Sequence, residues 1–273
     1  MFKRILFASM LVSISALITQ AQIHIGATTS VTANVLLDKG IKGDPRYDNQ
    51  YTINMAPIGF NFGVDIGKKF GLQLETILSN QDQIMDIVDA GKKAIGERKL
   101  DMKYLQLPVM MKFMGGGNGG ARANFNVGPQ LSVLLDAVET IEHDGGTLVI
   151  PDDPNWQLPE GATDNGDGTY TTPAIPSTDV YSKKAGDFAN TQFAIAAAFG
   201  LDIDLSKHLY LATQVRMNYS ITDMRNKDVF DAVSSGSVQD VISSSANMAI
   251  GVQFGLHYVF GSTRKFKARE VKK

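Results

Sequence analysis

The chain has 273 residues, enough for one large β domain or two small ones. Its formal net charge of −2, from 26 basic and 28 acidic residues, lacks the basic excess that excludes few partners but would be needed for nucleic acid, so we expect none. There is no cysteine, which excludes both a disulfide framework and an anchor attached through a cysteine.

The 44% apolar content suits a soluble protein and a transmembrane barrel equally, because a barrel alternates apolar with polar residues. Periodicity decides instead. At the N-terminus, Lys3 and Arg4 precede an apolar run from Ile5 to Ile18, followed by Thr19-Gln20-Ala21 with small residues where a signal peptidase reads. The run of about 14 residues is short of the roughly 20 that a spanning helix requires. We therefore expect residues 1–21 to be a signal peptide cleaved after Ala21, and export to the cell's outer membrane.

Strand side chains point alternately to opposite faces, and eight segments divide cleanly on that basis. The first, about Gln22 to Asn34, sets Ile23, Ile25, Ala27, Thr29 and Val31 against His24, Gly26, Thr28 and Ser30. In the second, about Ala56 to Gly67, Ile58, Phe60, Phe62, Val64 and Ile66 alternate with Gly59, Asn61, Gly63, Asp65 and Gly67. The third, about Phe70 to Ser79, places Leu72, Leu74 and Leu78 outward and Gln73 and Glu75 inward. The fourth, about Asp101 to Phe113, presents Leu105, Leu107, Val109, Met111 and Phe113, and the fifth, about Arg122 to Asp136, presents Phe125, Val127, Leu131 and Val133. Pro108 and Pro129 cannot donate to a ladder, so each demands a local irregularity.

The sixth, about Gln192 to Leu205, and the seventh, about Leu209 to Tyr219, follow the same rule. The last is the clearest. From Met248 to Phe260 an unbroken apolar row alternates with Asn247, Ala249, Gly251, Gln253, Gly255 and His257. A soluble sheet would bury the apolar row and solvate the other, but the second row here is small and glycine-rich. An apolar band facing lipid around a polar interior fits this division.

Connections alternate in length. Lys68-Lys69, Gly115 to Gly120 and Ser206-Lys207-His208 are short; about Val35 to Met55, Asn80 to Leu100, Ala137 to Thr191 and Ser220 to Ser244 are long and polar. The expected fold is therefore an all-β, eight-stranded antiparallel transmembrane β-barrel with short periplasmic turns and four long extracellular loops, spanning residues 22–260. The basic segment 261–273 is expected to be a periplasmic tail. In the third loop, Asp164-Asn165-Gly166-Asp167-Gly168-Thr169-Tyr170 is dense in acids, but glycines stand where an EF-hand needs ligands. Asn-Gly and Asp-Gly favour a tight hairpin instead.

The stretch Tyr104-Leu105-Gln106-Leu107-Pro108-Val109-Met110-Met111-Lys112-Phe113 resembles the PorT-like family of outer-membrane β-barrel proteins, where a tyrosine, an apolar-polar-apolar step, a proline and an apolar run close the fourth strand. Asn126-Val127-Gly128-Pro129 and Gly255-Leu256-His257-Tyr258-Val259-Phe260 are similar to that family's fifth and closing strands. Gln106 stands where the family commonly has an acid. The resemblance implies the barrel architecture and, through the family's namesake, an association with type IX protein secretion, hence contacts with other envelope or secretion-system proteins beside outer-membrane lipid.

No serine elbow, paired zinc ligands or phosphate loop is present, so we expect no enzyme, no cofactor and no metal. His143, beside Glu142 and Asp144, is the one histidine placed for chemistry at the outer face, and it reads as an exposed loop residue. The inward rows carry Asp65, Glu75, Lys112, Arg122, Asp202, Asp204 and Arg216, with His24 and His257 near the periplasmic rim. Charges confined in a narrow lumen must pair, and eight strands leave an interior that side chains can fill. These residues are expected to form a packed polar network within a structural or surface-interacting barrel; the alternative is a narrow porin-like channel for small solutes.

Overall fold

The computed structural model describes residues 21–115, 120–153 and 156–261. The expected signal peptide, apart from Ala21, and the basic tail after Gly261 lie outside the described residues, as does most of the Gly115–Gly120 turn.

In chain order the elements are β1 (Ala21–Asp38), α1 (Lys39–Gly43), β2 (Tyr47–Asn49), β3 (Thr52–Ile66), β4 (Phe70–Asn80), β5 (Gln83–Val88), β6 (Ala94–Met114) and β7 (Ala121–His143). They continue with β8 (Gly146–Val149), β9 (Thr163–Asp164), β10 (Thr169–Thr172), β11 (Ile175–Ser182), β12 (Thr191–Asp204), β13 (Leu209–Ser220), α2 (Lys227–Ser234) and β14 (Ser245–Val259). Eight of these strands, β1, β3, β4, β6, β7, β12, β13 and β14, pair antiparallel in a ring that closes where β14 meets β1. Gly26 stands opposite His257 across that closure. No helix among the described residues is long and apolar enough to cross a membrane; this chain crosses with strands.

The outer and inner rows fall where the alternation places them. Phe60 is 59% exposed while its neighbour Asn61 is 3% exposed, and Phe254 is 44% exposed beside Gln253 at 2%. With so much apolar surface turned outward, the molecule is stable only with hydrocarbon around it.

The local irregularity expected at the two prolines is present, as lost rungs and not as bulges. At Pro108 and Pro129 the β6–β7 ladder loses rungs between Pro108↔Gln130 and Met111↔Val127, and its register resumes unchanged. Gly128 permits this close passage, since a Cβ there would run into the Val109 carbonyl. The true bulges lie elsewhere. Pro57 and Ile58 of β3 face the single residue Thr29 of β1, whose hydroxyl donates to the Ala56 carbonyl at 3.2 Å. In β7, the register shifts at Leu135, between Tyr104↔Leu134 and Lys103↔Asp136.

The four outer connections are folded, which their polarity concealed. Strands β6 and β7 run beyond the second bulge to Ala94 and His143, and β5, β2 and β11 join them as an outward extension of the wall. The acid-rich stretch forms the tip of a small sheet of β8, β9 and β10. There Asp164 Oδ1 accepts from Gly166 N at 2.8 Å and Asp167 Oδ1 from Thr169 N at 3.0 Å, so the carboxylates serve the turn. Leu36, Leu100, Met102, Leu134, Phe188, Met224 and Ile242 then converge as an apolar cluster across the outer mouth.

Phe60→Asp or Phe254→Asp should block assembly far more than Asn61→Asp or Gln253→Asp, because only the first pair places a charge in lipid. Basic residues at the bilayer midplane cost about 2–4 kcal/mol, and acids less. Heat-modifiable gel mobility after refolding into liposomes measures the difference; equal tolerance at all four sites would reverse the assignment of faces.

Candidate functional site

The lumen brings the inward charges together in pairs. Lys112 of β6 and Asp202 of β12 form one, Nζ to Oδ2 2.7 Å, with side chains 3% and 0% exposed. Arg216 of β13 and Glu75 of β4 form another across the barrel, Nη1 against Oε2. At the periplasmic rim Arg122 and Asp204 approach to 3.5 Å and remain partly exposed. Asp65 Oδ1 faces His24 Nε2 at 3.5 Å.

Amides connect the Lys112–Asp202 and Arg216–Glu75 pairs into one chain of hydrogen bonds. Asp202 Oδ1 accepts from Asn124 Nδ2 at 2.8 Å, Asn126 Nδ2 donates to Asn124 Oδ1 at 3.1 Å and to Gln214 Oε1 at 2.8 Å, and Gln214 Nε2 donates to Gln253 Oε1 at 2.7 Å. Gln253 Oε1 also accepts from Arg216 Nη1 at 3.2 Å, while Glu75 Oε1 accepts from Gln73 Nε2 at 2.6 Å. Placed in a low-dielectric space, such charges are tolerable only because each finds an opposite charge and further hydrogen bonds.

His24 and His257 come together below this chain. Their ring centroids lie 5.4 Å apart, and Tyr210 stacks on His257 at 4.5 Å with planes 7° apart. The Tyr210 hydroxyl is 3.2 Å from His24 Nδ1, and Lys112 Nζ lies 5.0 Å from the Tyr210 ring centroid. Glycines make the seats for both imidazoles. A Cβ on Gly26 would stand 2.6 Å from His257 Nδ1, one on Gly255 2.8 Å from His257 Nε2, and one on Gly63 would enter the His24 ring.

A second charged network, which the sequence reading did not identify, sits in the outer cap. Arg98 of β6 donates through Nε to Glu139 of β7 at 2.6 Å and grips both oxygens of Asp240 at 2.7 and 2.8 Å. Arg225 brings Nη2 to 2.6 Å of Glu139 Oε2, off the angle of a hydrogen bond, and lies over the Tyr181 and Phe188 rings at 4.9 and 5.3 Å. Arg98, Glu139 and Arg225 are all buried. The even-numbered inward row of β6, carried outward from Met110 through Met102 and Leu100, would have reached Arg98; nothing local in the sequence marks Arg225 or Asp240 as its partners.

Hydrogen bonds also lock the loops to one another. Asp38 caps α1 through Gly40 N and Ile41 N at 2.9 and 3.2 Å, and the same oxygen accepts from Ser243 N and its hydroxyl at 3.0 and 2.9 Å. His143 differs from its expected place in an exposed loop. It ends β7, is 9% exposed, and its Nδ1 accepts from Gly145 N at 3.1 Å.

A ring of eight antiparallel strands, apolar outside and polar inside, is joined by a family match: the model of an outer membrane protein beta-barrel domain fits residues 19–226. The chain belongs to that family. It is an outer-membrane β-barrel protein. No curated protein matches it. Among solved structures it is similar to Neisserial surface protein A at 8% identity and TM-score 0.41, with 88% of this chain and 99% of that one covered. OprG from Pseudomonas aeruginosa gives 12% identity and TM-score 0.41 over 89% and 98%, and Ail of Yersinia pestis 9% and 0.35 over 88% and 99%. At these scores the strand ring and the family match carry the assignment.

Breaking one lumen pair should be costly and removing it whole should not. Arg216→Met alone strands Glu75 and should lose about 3–5 kcal/mol, most of which Arg216→Met with Glu75→Leu restores; urea unfolding in lipid vesicles measures both.

The cap should respond to acid separately from the barrel. Burial opposes the Asp240 carboxylate, but Arg98 outweighs it and holds the group below 3.8; burial likewise holds His143 below 6.5. Both folded values are depressed, so each contribution is complete above the unfolded value and is lost as pH falls through the folded one. Trp156, the chain's one tryptophan, packs on Tyr170 in the cap with centroids 5.1 Å apart. Its fluorescence should change in two steps, the first beginning below about pH 6.5 and the second below about 3.8, with heat-modifiable mobility retained at the first. His143→Asn should remove the first step.

Proposed function

We propose that this protein is a non-enzymatic, non-conducting barrel whose folded outer cap meets partners at the cell's outer face. One observation carries the reading: a lumen crossed by the buried ion pairs Lys112–Asp202 and Arg216–Glu75 lies beneath an apolar cluster built by the loops and the outer ends of β1, β6 and β7, so the ordered surface faces outward. A loop region evolved merely to connect strands would need neither a buried charge network nor an apolar core. The PorT-like resemblance around Tyr104–Phe113 supports contacts within the envelope, with secretion-system proteins among the partner classes.

The narrow-channel reading requires ions to pass Arg216–Glu75 and then the apolar cluster. The first step would separate charges that are buried and mutually bonded, and the second would strip water from the ion against apolar side chains.

In planar bilayers the intact protein should give no steady unitary conductance. Proteoliposomes bearing it should be retained on coats of whole-envelope material, and a barrel with its four outer loops cut to short turns should not be. Well-defined currents from the intact protein, with retention unchanged by loop removal, would establish the channel instead.

A further inference from the structure

We propose that a cleft in the outer cap binds a neutral sugar ring of a surface glycan; this rests on the surface-interaction reading and names the partner class. The cleft has a volume of about 380 Å³ and opens between the first, third and fourth loops, with Arg46, Tyr47, Tyr181, Asp187, Val238 and Asp240 among its lining. That size falls in the range of about 300–1,000 Å³ typical of small-molecule sites.

Two of its charged side chains, Arg46 and Asp240, are already matched by opposite charges. Arg46 is closed by Asp44, Nη2 to Oδ2 2.7 Å and Nε to Oδ1 2.9 Å, and its Nη1 donates to the Tyr170 hydroxyl at 3.1 Å. Asp240 is held at both oxygens by Arg98, and Asp187 Oδ2 accepts from Ser182 N at 2.8 Å. An anionic ligand would have to displace Asp44 from Arg46 and leave a buried charge uncompensated, which is strongly unfavourable. A polyhydroxylated neutral ligand has no such requirement. Its hydroxyls can donate to Asp187 while that carboxylate keeps Ser182 N, because each carboxylate oxygen has two lone pairs and Asp187 Oδ2 gives only one of them to Ser182.

The remaining walls suit the carbon-bound face of the same molecule. Tyr47 and Tyr181 present aromatic surface, and Val238 adds an aliphatic side at the mouth. Arg98 lies 5.7 Å from the centroid of Tyr47, and Arg225 4.9 Å from that of Tyr181, so a buried cation packs on each ring. Side chains fixed in this way lose little further freedom on binding. A pyranose ring, with hydroxyls at its edge and C–H groups on its faces, combines both requirements.

The test uses the refolded full-length protein in lipid nanodiscs, applied to an array of neutral and anionic oligosaccharides. Neutral oligosaccharides should be retained, and Val238→Trp, which fills the cleft from its exposed side, should weaken retention ten-fold or more while heat-modifiable mobility is unchanged. Asp187→Asn should also weaken it without loss of Trp156 fluorescence. Retention of anionic sugars only, no retention at all, or Val238→Trp behaving as the parent would each overturn the inference. If the array is blank while proteoliposomes still bind envelope coats, the glycan is wrong and the surface reading stands; if both fail, the surface reading fails with it.

Discussion

Everything in this molecule depends on closing β14 against β1. In hydrocarbon there is no water to satisfy an open strand edge, so a sheet that crosses must have every edge paired within itself. The β1–β14 ladder runs from His24↔Val259 to Asp38↔Ser245 without a shift in register, and it fixes the interior. Once the ring is closed at eight strands, the inside is too narrow for bulk water and wide enough for side chains. Polar inner rows are then obliged to satisfy one another. Arg216 reaching across to Glu75, and Lys112 to Asp202, are consequences of closure as much as of local sequence.

The same narrowness explains the inner glycines. A sheet this strongly curved crowds its concave face, and a large ring on one strand needs an empty position on the next. His257 faces Gly26 in register, and His24 faces Gly63. Large beside small is therefore a packing rule along the ladder, and it accounts for the small-residue inner row that first distinguished this chain from a soluble sheet.

The eight crossing segments were legible because each meets lipid on one face and lumen on the other, which imposes period two on the sequence. The inward charges were legible for the same reason. Beyond the bilayer that contrast vanishes. Ala94 to Leu100 extends β6, yet Glu97 and Lys99 are outward-facing in water and Arg98 is inward-facing in a buried ion network, so both faces read as polar. His143 was misplaced as exposed because the strand that carries it outruns its apolar rows. Partners such as Arg225 and Asp240, distant in sequence from Arg98 and Glu139, are brought near by loop folding alone. The bulges followed local geometry that the proline positions did not announce: Pro57 sits in one, whereas Pro108 and Pro129 interrupt hydrogen bonds and leave the register intact.

The cap and the lumen are also joined through common strands. Strand β6 carries Lys112 in the lumen, Tyr104 and Met102 in the apolar cluster and Arg98 in the outer network, and β7 carries Asn126, Leu134 and Glu139 at matching heights. The Leu135 bulge lies between the two regimes, so the inward side of β7 passes from even-numbered to odd-numbered residues there, bringing Ala137 and Glu139 to the interior. Without that one extra residue Glu139 would face outward, Arg98 would keep only Asp240, and Arg225 would lose the Glu139 carboxylate. A single bulge thus converts a lipid-facing wall below into a water-facing wall above while keeping one continuous strand, and the ordered outer surface follows from it.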